Sequence, residues 1–349
     1  MSASRSRART AGFAVVAVLL GLALLEGAAR LALPAVAPPP SAGLDARDPP
    51  WLVAAKSAFD TGFFVPDDDV LWLPTPNFRY QPFGKGVYGD EPFQLNQWGH
   101  RSPPIDKAKP PGVKRVLVLG GSHPFGMYAD QSHIYSTALQ RMLDERAPGA
   151  WQVINAASPG HTTFQGLQYL LHRGLEFSPD VVVFDLGMND GLPLSIDFAR
   201  PDHEVQAVPK WAKGAGSTAA GLATYQVLKA LVGSAQAPSD ARVRVPPDRR
   251  DANLRRVAEL GEEHDFEVLY MSQVRVDRWK GPGNASCDFT AEEFSPRVDV
   301  CGVFRALGPE AGREFADPIH ATNDGHERIA RAVLARMDEL GWLTPAPRR

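Results

Sequence analysis

Residues 113–123 read Val-Lys-Arg-Val-Leu-Val-Leu-Gly-Gly-Ser-His. Branched and aliphatic side chains run up to Leu119, and Gly120 and Gly121 stop them. A short apolar run closed by glycine is the pattern of a strand buried on both faces of a parallel sheet. The same texture returns at Trp151–Ala156 (WQVINA), Val181–Leu186 (VVVFDL) and Val268–Ser272 (VLYMS). Between these runs the apolar residues switch to helical spacing. Ser136–Glu145 puts Leu139 and Leu143 on one face, Gln165–Arg173 is predicted helical, and Asp251–His264 turns Leu254, Val257 and Leu260 inward. A closing helix over Asn323–Leu340 carries Ile329, Val333, Leu334 and Met337 as its stripe. Strands alternating with helices predict an α/β fold over 112–349, a three-layer α/β/α sandwich with a mostly parallel sheet.

Residues 191–250 break that alternation. They combine a polar loop, a small basic patch at Lys210 and Lys213, and a predicted helix around Gly221–Val232. An insertion at the loop end of a sheet is placed to act as a lid. Upstream, 41–111 reads as an irregular extension packed on the core, rich in Pro, Phe and Trp with little periodicity from Trp51 to Pro111. Residues 1–40 differ again. Arg5, Arg7 and Arg9 precede an apolar stretch, Ala11–Leu33, whose only charges are Glu26 and Arg30, four residues apart and able to pair. A basic flank before an apolar segment predicts a signal anchor forming a transmembrane helix, with the remainder of the chain extracytoplasmic. Cleavage after Ala35-Val36-Ala37 is the competing reading, although Pro38 would follow the cut.

Composition narrows the function. The 349 residues carry a formal net charge of −3, with no basic excess to hold a phosphate backbone, so nucleic acid is not an expected partner. Two cysteines, Cys287 and Cys301, exclude a four-cysteine zinc site; in an oxidising compartment they either pair or stay as two thiols. No His-Glu-x-x-His or Cys-x-x-Cys occurs, so neither a metal nor a cofactor is expected.

In an open α/β sheet, ligands bind beyond the carboxyl ends of the strands. Four loops supply chemistry there: Gly120-Gly121-Ser122-His123, Asn155 to Gly160, Gly187-Met188-Asn189-Asp190, and Asp317-Pro318-Ile319-His320 ahead of the last helix. A serine behind two glycines at a strand-to-helix turn can present its hydroxyl with its own amide at a helix N-terminus. Taken alone, Ser122 could equally cap that helix. Asp317 and His320 are spaced so that the carboxylate can hold one imidazole nitrogen while the other takes a proton from a serine. Singly they could be a solvated aspartate and a capping histidine. Asn189 can donate to a developing oxyanion, or serve as a turn residue before Asp190-Gly191. His133, His161, His264 and His326 lie in or beside predicted helices and read as surface or capping residues.

Taken in this order and strand context, the four loops make the chain resemble the SGNH (GDSL-like) hydrolase family from about Val113 to its end. The segment Asn96-Gln97-Trp98-Gly99-His100-Arg101 is similar to the Asn-x-x-Gly-x-Arg lead-in of many exported, anchored members. One departure is that Gly120-Gly121-Ser122 stands where the family has Gly-Asp-Ser, and His123, unusual at its position, could also reach into the site. The resemblance implies that Ser122 is the nucleophile, His320 the general base and Asp317 its orienting carboxylate. It implies an oxyanion hole built from the Ser122 amide, the Gly160 amide and the Asn189 side chain. The activity implied is that of a serine esterase working through an acyl-enzyme on an ester or acylated glycan. An O-acyltransferase acting on an envelope polysaccharide would share every step up to the acyl-enzyme, and aromatics such as Phe125, Tyr128, Trp211 and Trp279 along a groove would favour it. A non-catalytic glycan-binding protein would share only the fold.

Overall fold

A computed structural model describes residues 17–18, 20–31, 62–81, 89–192, 201–207, 243–276, 285–289 and 294–343. The chain divides into two units, Met1–Pro49 with Ala207–Ala241, and Pro50–Gln206 with Arg242–Arg349. Within the first unit, residues 20–31 are helical, Arg30 pairs with Glu26 at 2.9 Å, and Leu20, Leu22, Leu24, Leu25 and Leu31 are exposed. Among the described residues no helix is long and apolar enough to cross a membrane. The predicted anchor, Ala11–Leu33, is described only over 17–18 and 20–31. Lys210, Trp211, Lys213, Trp279 and the helix predicted around Gly221–Val232 lie outside the described residues.

The second unit opens with two antiparallel hairpins, β1 (Phe64–Asp67) with β2 (Leu71–Pro74) and β3 (Arg79–Tyr80) with β4 (Phe93–Gln94). There follow β5 (Lys114–Gly120), α1 (Ser122–Phe125), α2 (Tyr135–Arg146), β6 (Trp151–Asn155), α3 (Thr163–His172) and β7 (Val181–Asp185). The chain continues through α4 (Asp202–Gln206), α5 (Pro247–His264), β8 (Glu267–Met271) and a hairpin of β9 (Gln273–Val276) and β10 (Ala285–Phe289). It closes with β11 (Arg297–Val298), α6 (Val300–Arg305) and α7 (Asn323–Glu339).

Five strands form one sheet in the order β11-β8-β7-β5-β6, and all four pairings are parallel. The two faces of β5 explain its unbroken apolar run. Val116 and Val118 pack with Leu139 and Leu143 of α2 and Ile329 and Val333 of α7. Leu117 and Leu119 pack with Leu167 and Leu170 of α3 and Leu254 and Val257 of α5. The sheet therefore sits between two helical layers, and truncating a fully buried residue such as Leu117 to alanine should cost roughly 2–5 kcal/mol. The fifth strand, β11, has only two residues and carries no period for sequence reading to detect.

Because β6 and β7 flank β5 on opposite sides, the winding reverses there, and the carboxyl ends of β5 and β7 open a crevice. The extension packs beside it. Phe63, Phe64, Trp72, Phe93 and Leu95 form an aromatic cluster with Phe125 of α1 and with Ala157. Arg101, 1% exposed, donates to the carbonyls of Phe125, Gly126 and Ala129 and so fastens the chain just after Ser122. Of the two cysteine states, the structure has the paired one: Cys287 of β10 is joined to Cys301 of α6, Cα to Cα 5.7 Å.

Candidate active site

Ser122 follows β5 directly and is the first residue of α1. Packing accounts for the two glycines before it. A Cβ on Gly120 would lie 1.9 Å from Pro124 Cγ, and one on Gly121 would lie 2.7 Å from Asn189 Nδ2. An aspartate at 121 would therefore collide with the Asn189 amide as placed. His320 arrives from the loop before α7, where Val276 of β9 donates to the Pro318 carbonyl at 2.7 Å and Ala316 to the His320 carbonyl at 2.8 Å.

The three side chains form one chain of contacts. His320 Nε2 lies 2.7 Å from Ser122 Oγ, and His320 Nδ1 lies 2.6 Å from Asp317 Oδ2. The other carboxylate oxygen, Oδ1, accepts the backbone N–H groups of Ile319 at 2.9 Å and His320 at 2.8 Å. Burial pushes the Asp317 carboxyl up, but the hydrogen bond and charge of His320 and the two amides outweigh it and hold the group below the ordinary range. An ionised carboxylate can only accept, so Nδ1 carries the hydrogen and Nε2 is left to accept from the serine hydroxyl. Tyr128, held at φ +63°, sets its ring 5.6 Å from the His320 ring. Burial and the nearby Asp317 push its phenol up to about 12, which keeps it protonated.

Donors gather opposite this relay. Among the described residues, the backbone N–H groups of Ser122 and Gly160 have no hydrogen-bond partner. Asn189 Nδ2 gives one hydrogen to the His161 carbonyl at 2.8 Å, and its second remains available. Gly160 sits at φ +82°, a conformation that favours glycine. The crevice is narrow, partly open to solvent, and lined by Gly121, Ser122, Leu186, Met188, Asn189 and Ile319 among others. The structure thus brings Ser122, Asp317 and His320 together, with Asn189 on the cavity wall, while Gly160 lies one residue from the wall residue His161.

Two of the histidines differ from the sequence expectation. His161 and His326 are buried, not surface or capping residues. His161 Nε2 reaches the Trp72 carbonyl at 3.0 Å, and burial drives its imidazole down to about 3, so it stays neutral. His326 stacks on His123, ring centroids 5.7 Å apart. His123 does reach the cavity wall, with Nδ1 3.2 Å from Asp185 Oδ2.

Residues with no catalytic role in the sequence expectation brace the site. Asp190, 3% exposed, accepts the N–H of Thr163 at 2.8 Å and its hydroxyl at 2.6 Å, joining the end of β7 to the start of α3. Burial pushes its carboxyl up to about 7 despite those bonds. Arg244 pairs with buried Asp202 at 3.0 Å, and Thr162 Oγ1 donates to Asp202 at 2.6 Å. The alternation Arg242-Val243-Arg244-Val245 is a local signal that could have pointed to Arg244. Among the described residues, no group of three or more His, Cys, Asp or Glu side chains converges as a metal site requires.

No curated protein sequence matches the chain. Solved structures do. They include LAE5, an alpha/beta hydrolase from the metagenome of Lake Arreo, Spain, at 15% identity over 66% of this chain and 96% of that one, TM-score 0.43. TesA matches at 20% identity over 65% and 99%, TM-score 0.41. Axe2, an acetylxylan esterase from Geobacillus stearothermophilus, matches at 16% over 64% and 94%, TM-score 0.42. Residues 118–328 match the sequence profile of the GDSL-like Lipase/Acylhydrolase family.

Proposed function

The chain belongs to the GDSL-like lipase/acylhydrolase family and is a serine hydrolase, and we propose that it is an esterase using Ser122, His320 and Asp317 through an acyl-enzyme. The observation that carries this reading is the unbroken relay from Ser122 Oγ through His320 to Asp317, at 2.7 and 2.6 Å. Ser122 Oγ attacks the ester carbonyl as its proton passes to His320 Nε2, and Asp317 stabilises the imidazolium. The amides of Ser122 and Gly160 and the second hydrogen of Asn189 Nδ2 receive the oxyanion. His320 then returns the proton to the leaving alkoxide. Water attacks the acyl-serine and gives a proton to the same nitrogen, which hands it to Ser122 Oγ as the C–Oγ bond breaks and the acid departs.

The narrow crevice beside Ser122, walled by Leu186, Met188 and Ile319, supports a short acyl group such as acetyl. An extracytoplasmic, membrane-anchored location is part of the same proposal. Arg5, Arg7 and Arg9 ahead of the apolar stretch support it, as does the Cys287–Cys301 disulfide, a bond that persists in oxidising compartments.

Purified full-length protein should hydrolyse p-nitrophenyl acetate faster than the butyrate and far faster than the octanoate. Ser122→Ala should lose both turnover and labelling by a fluorophosphonate. Turnover at the parent rate by that variant would reject Ser122 as nucleophile, and a preference for octanoate would reject the short-acyl assignment.

A further inference from the structure

The carbonyls of Pro159, Gly160 and His161 are consecutive, and each is held by a side-chain donor from a different part of the chain. Trp72 Nε1, from the N-terminal extension, donates to the Pro159 carbonyl at 3.1 Å. Arg244 Nη1, from beyond the 191–250 loop's midpoint, donates to the Gly160 carbonyl at 2.6 Å. Asn189 Nδ2, after β7, takes the His161 carbonyl at 2.8 Å. Three such clamps on three successive peptides are more than a short turn needs for its own folding. The turn already has its internal bond, His161 N–H to the Ser158 carbonyl at 3.1 Å.

Peptide geometry says what the clamps fix. In a trans peptide the N–H points opposite to the preceding C=O, because both lie in one rigid plane. Holding the Pro159 oxygen therefore sets the direction of the Gly160 N–H. Holding the Gly160 oxygen sets the next plane, and the two together leave the glycine no freedom to swing its amide. The braces are themselves braced. The Arg244 guanidinium lies 5.2 Å from the Trp72 ring centroid, and its Nη2 bonds Asp202 at 3.0 Å and Gln165 Oε1 at 2.7 Å. A Cβ on Gly160 would come within 3.2 Å of Trp72 Cζ2, so the indole packs directly on the residue it orients.

We infer that Trp72 and Arg244 are positioning residues that aim the Gly160 N–H at the oxyanion, making the extension and the C-terminal part of the 191–250 insertion parts of the catalytic apparatus. This rests on the reading of Gly160 as an oxyanion donor. An oxyanion contact acts mainly in the transition state, so misaiming it lowers kcat and leaves substrate binding alone.

The test uses the full-length chain. Trp72→Phe keeps an aromatic ring and removes the indole N–H. Arg244→Lys keeps a charge beside Asp202 and gives up the fork that reaches the Gly160 carbonyl. Rates are counted per active site titrated with a fluorophosphonate, which discards molecules that failed to fold. Each variant should lower kcat for p-nitrophenyl acetate about tenfold with KM unchanged, and an alkylboronic acid adding to Ser122 should lose affinity by the same factor. If Trp72→Phe does not accumulate, Arg244→Lys carries the measurement. Per-site kcat within twofold of the parent, or a raised KM at constant kcat, would overturn the inference. Full turnover by Ser122→Ala would overturn the reading beneath it instead, so the two failures are distinct.

Discussion

His320 and His123 flank Ser122, and each reaches a carboxylate, at 2.6 Å from Asp317 and at 3.2 Å from Asp185. Their surroundings separate them. Asp317 has its Oδ2 given to one imidazole, while its Oδ1 is fixed by two amides of its own loop. Asp185 is shared: Gln273 Nε2 donates to it at 3.0 Å and the Tyr135 hydroxyl at 3.4 Å, besides His123. The far nitrogens differ as well. His320 Nε2 meets the serine hydroxyl at 2.7 Å, whereas His123 Nε2 is buried with no hydrogen-bond partner among the described residues. A histidine beside an aspartate is therefore not yet a base. It also needs its second nitrogen on the nucleophile and a carboxylate oxygen that no other donor shares.

The largest effect should come from cutting the first pair. His320→Ala should lower kcat for p-nitrophenyl acetate by roughly 10⁴- to 10⁶-fold, because the serine hydroxyl then has no acceptor for its proton. A loss below about tenfold would break the comparison and hand the role of base to another group. Asp317→Asn should cost less, roughly 10²- to 10⁴-fold, since the imidazole keeps its place but loses the carboxylate that selects its tautomer and stabilises its cation. That variant should still melt cooperatively, and circular dichroism alongside the assay separates lost chemistry from lost fold.

A smaller effect appears in stability against pH. His326 stacks on His123 at 5.7 Å and accepts the Tyr135 N–H on Nδ1 at 3.3 Å, leaving Nε2 buried without a partner among the described residues. Burial first, then the charges of His123, Arg101 and His320, push its pKa well below 6.5. Below about pH 6.5 the unfolded chain therefore takes a proton that the native chain refuses, so this contribution to stability is complete above 6.5 and is lost as pH falls. In urea melts, the drop in unfolding free energy from pH 7.5 to pH 5 should be smaller in His326→Asn than in the parent. Equal drops would mean that His326 is charged in the native state, and the second pair would then sit beside a cation.

Legibility in the sequence followed how local each physical signal is. The strands β5 to β8 showed because burial on two faces demands an unbroken aliphatic run, and their observed limits fall within a residue or two of the expected ones. Asp317 and His320 were legible as a pair because their contact spans three residues. Trp72 and Arg244 were not, since their partners are backbone carbonyls 87 and 84 positions away, and a carbonyl leaves no mark in a sequence. His161 was misplaced on the surface for the same reason: its partner is the Trp72 carbonyl, 89 positions upstream. The hairpins of the extension held together through Phe63, Phe64, Trp72 and Phe93, whose irregular spacing has neither a helical nor a strand period.

The smallest effect bears on the second pair itself. His123→Asn replaces the imidazole with an amide whose Nδ2 can still donate to Asp185, so the bond made by His123 Nδ1 has a substitute. What the variant removes is the Nε2 end, which has no partner among the described residues, and the stacking on His326. Neither lies on the route of the Ser122 proton, whose acceptor is His320 Nε2. The expected change in kcat/KM for p-nitrophenyl acetate is therefore no more than about threefold, with the pH–rate profile in place. A hundredfold fall together with a shifted profile would make His123 a proton carrier in the reaction, and sharing of the Asp185 carboxylate would no longer explain why only one of the two pairs works. A wild-type profile with the small loss would leave the nitrogen that faces the serine as the feature that distinguishes them.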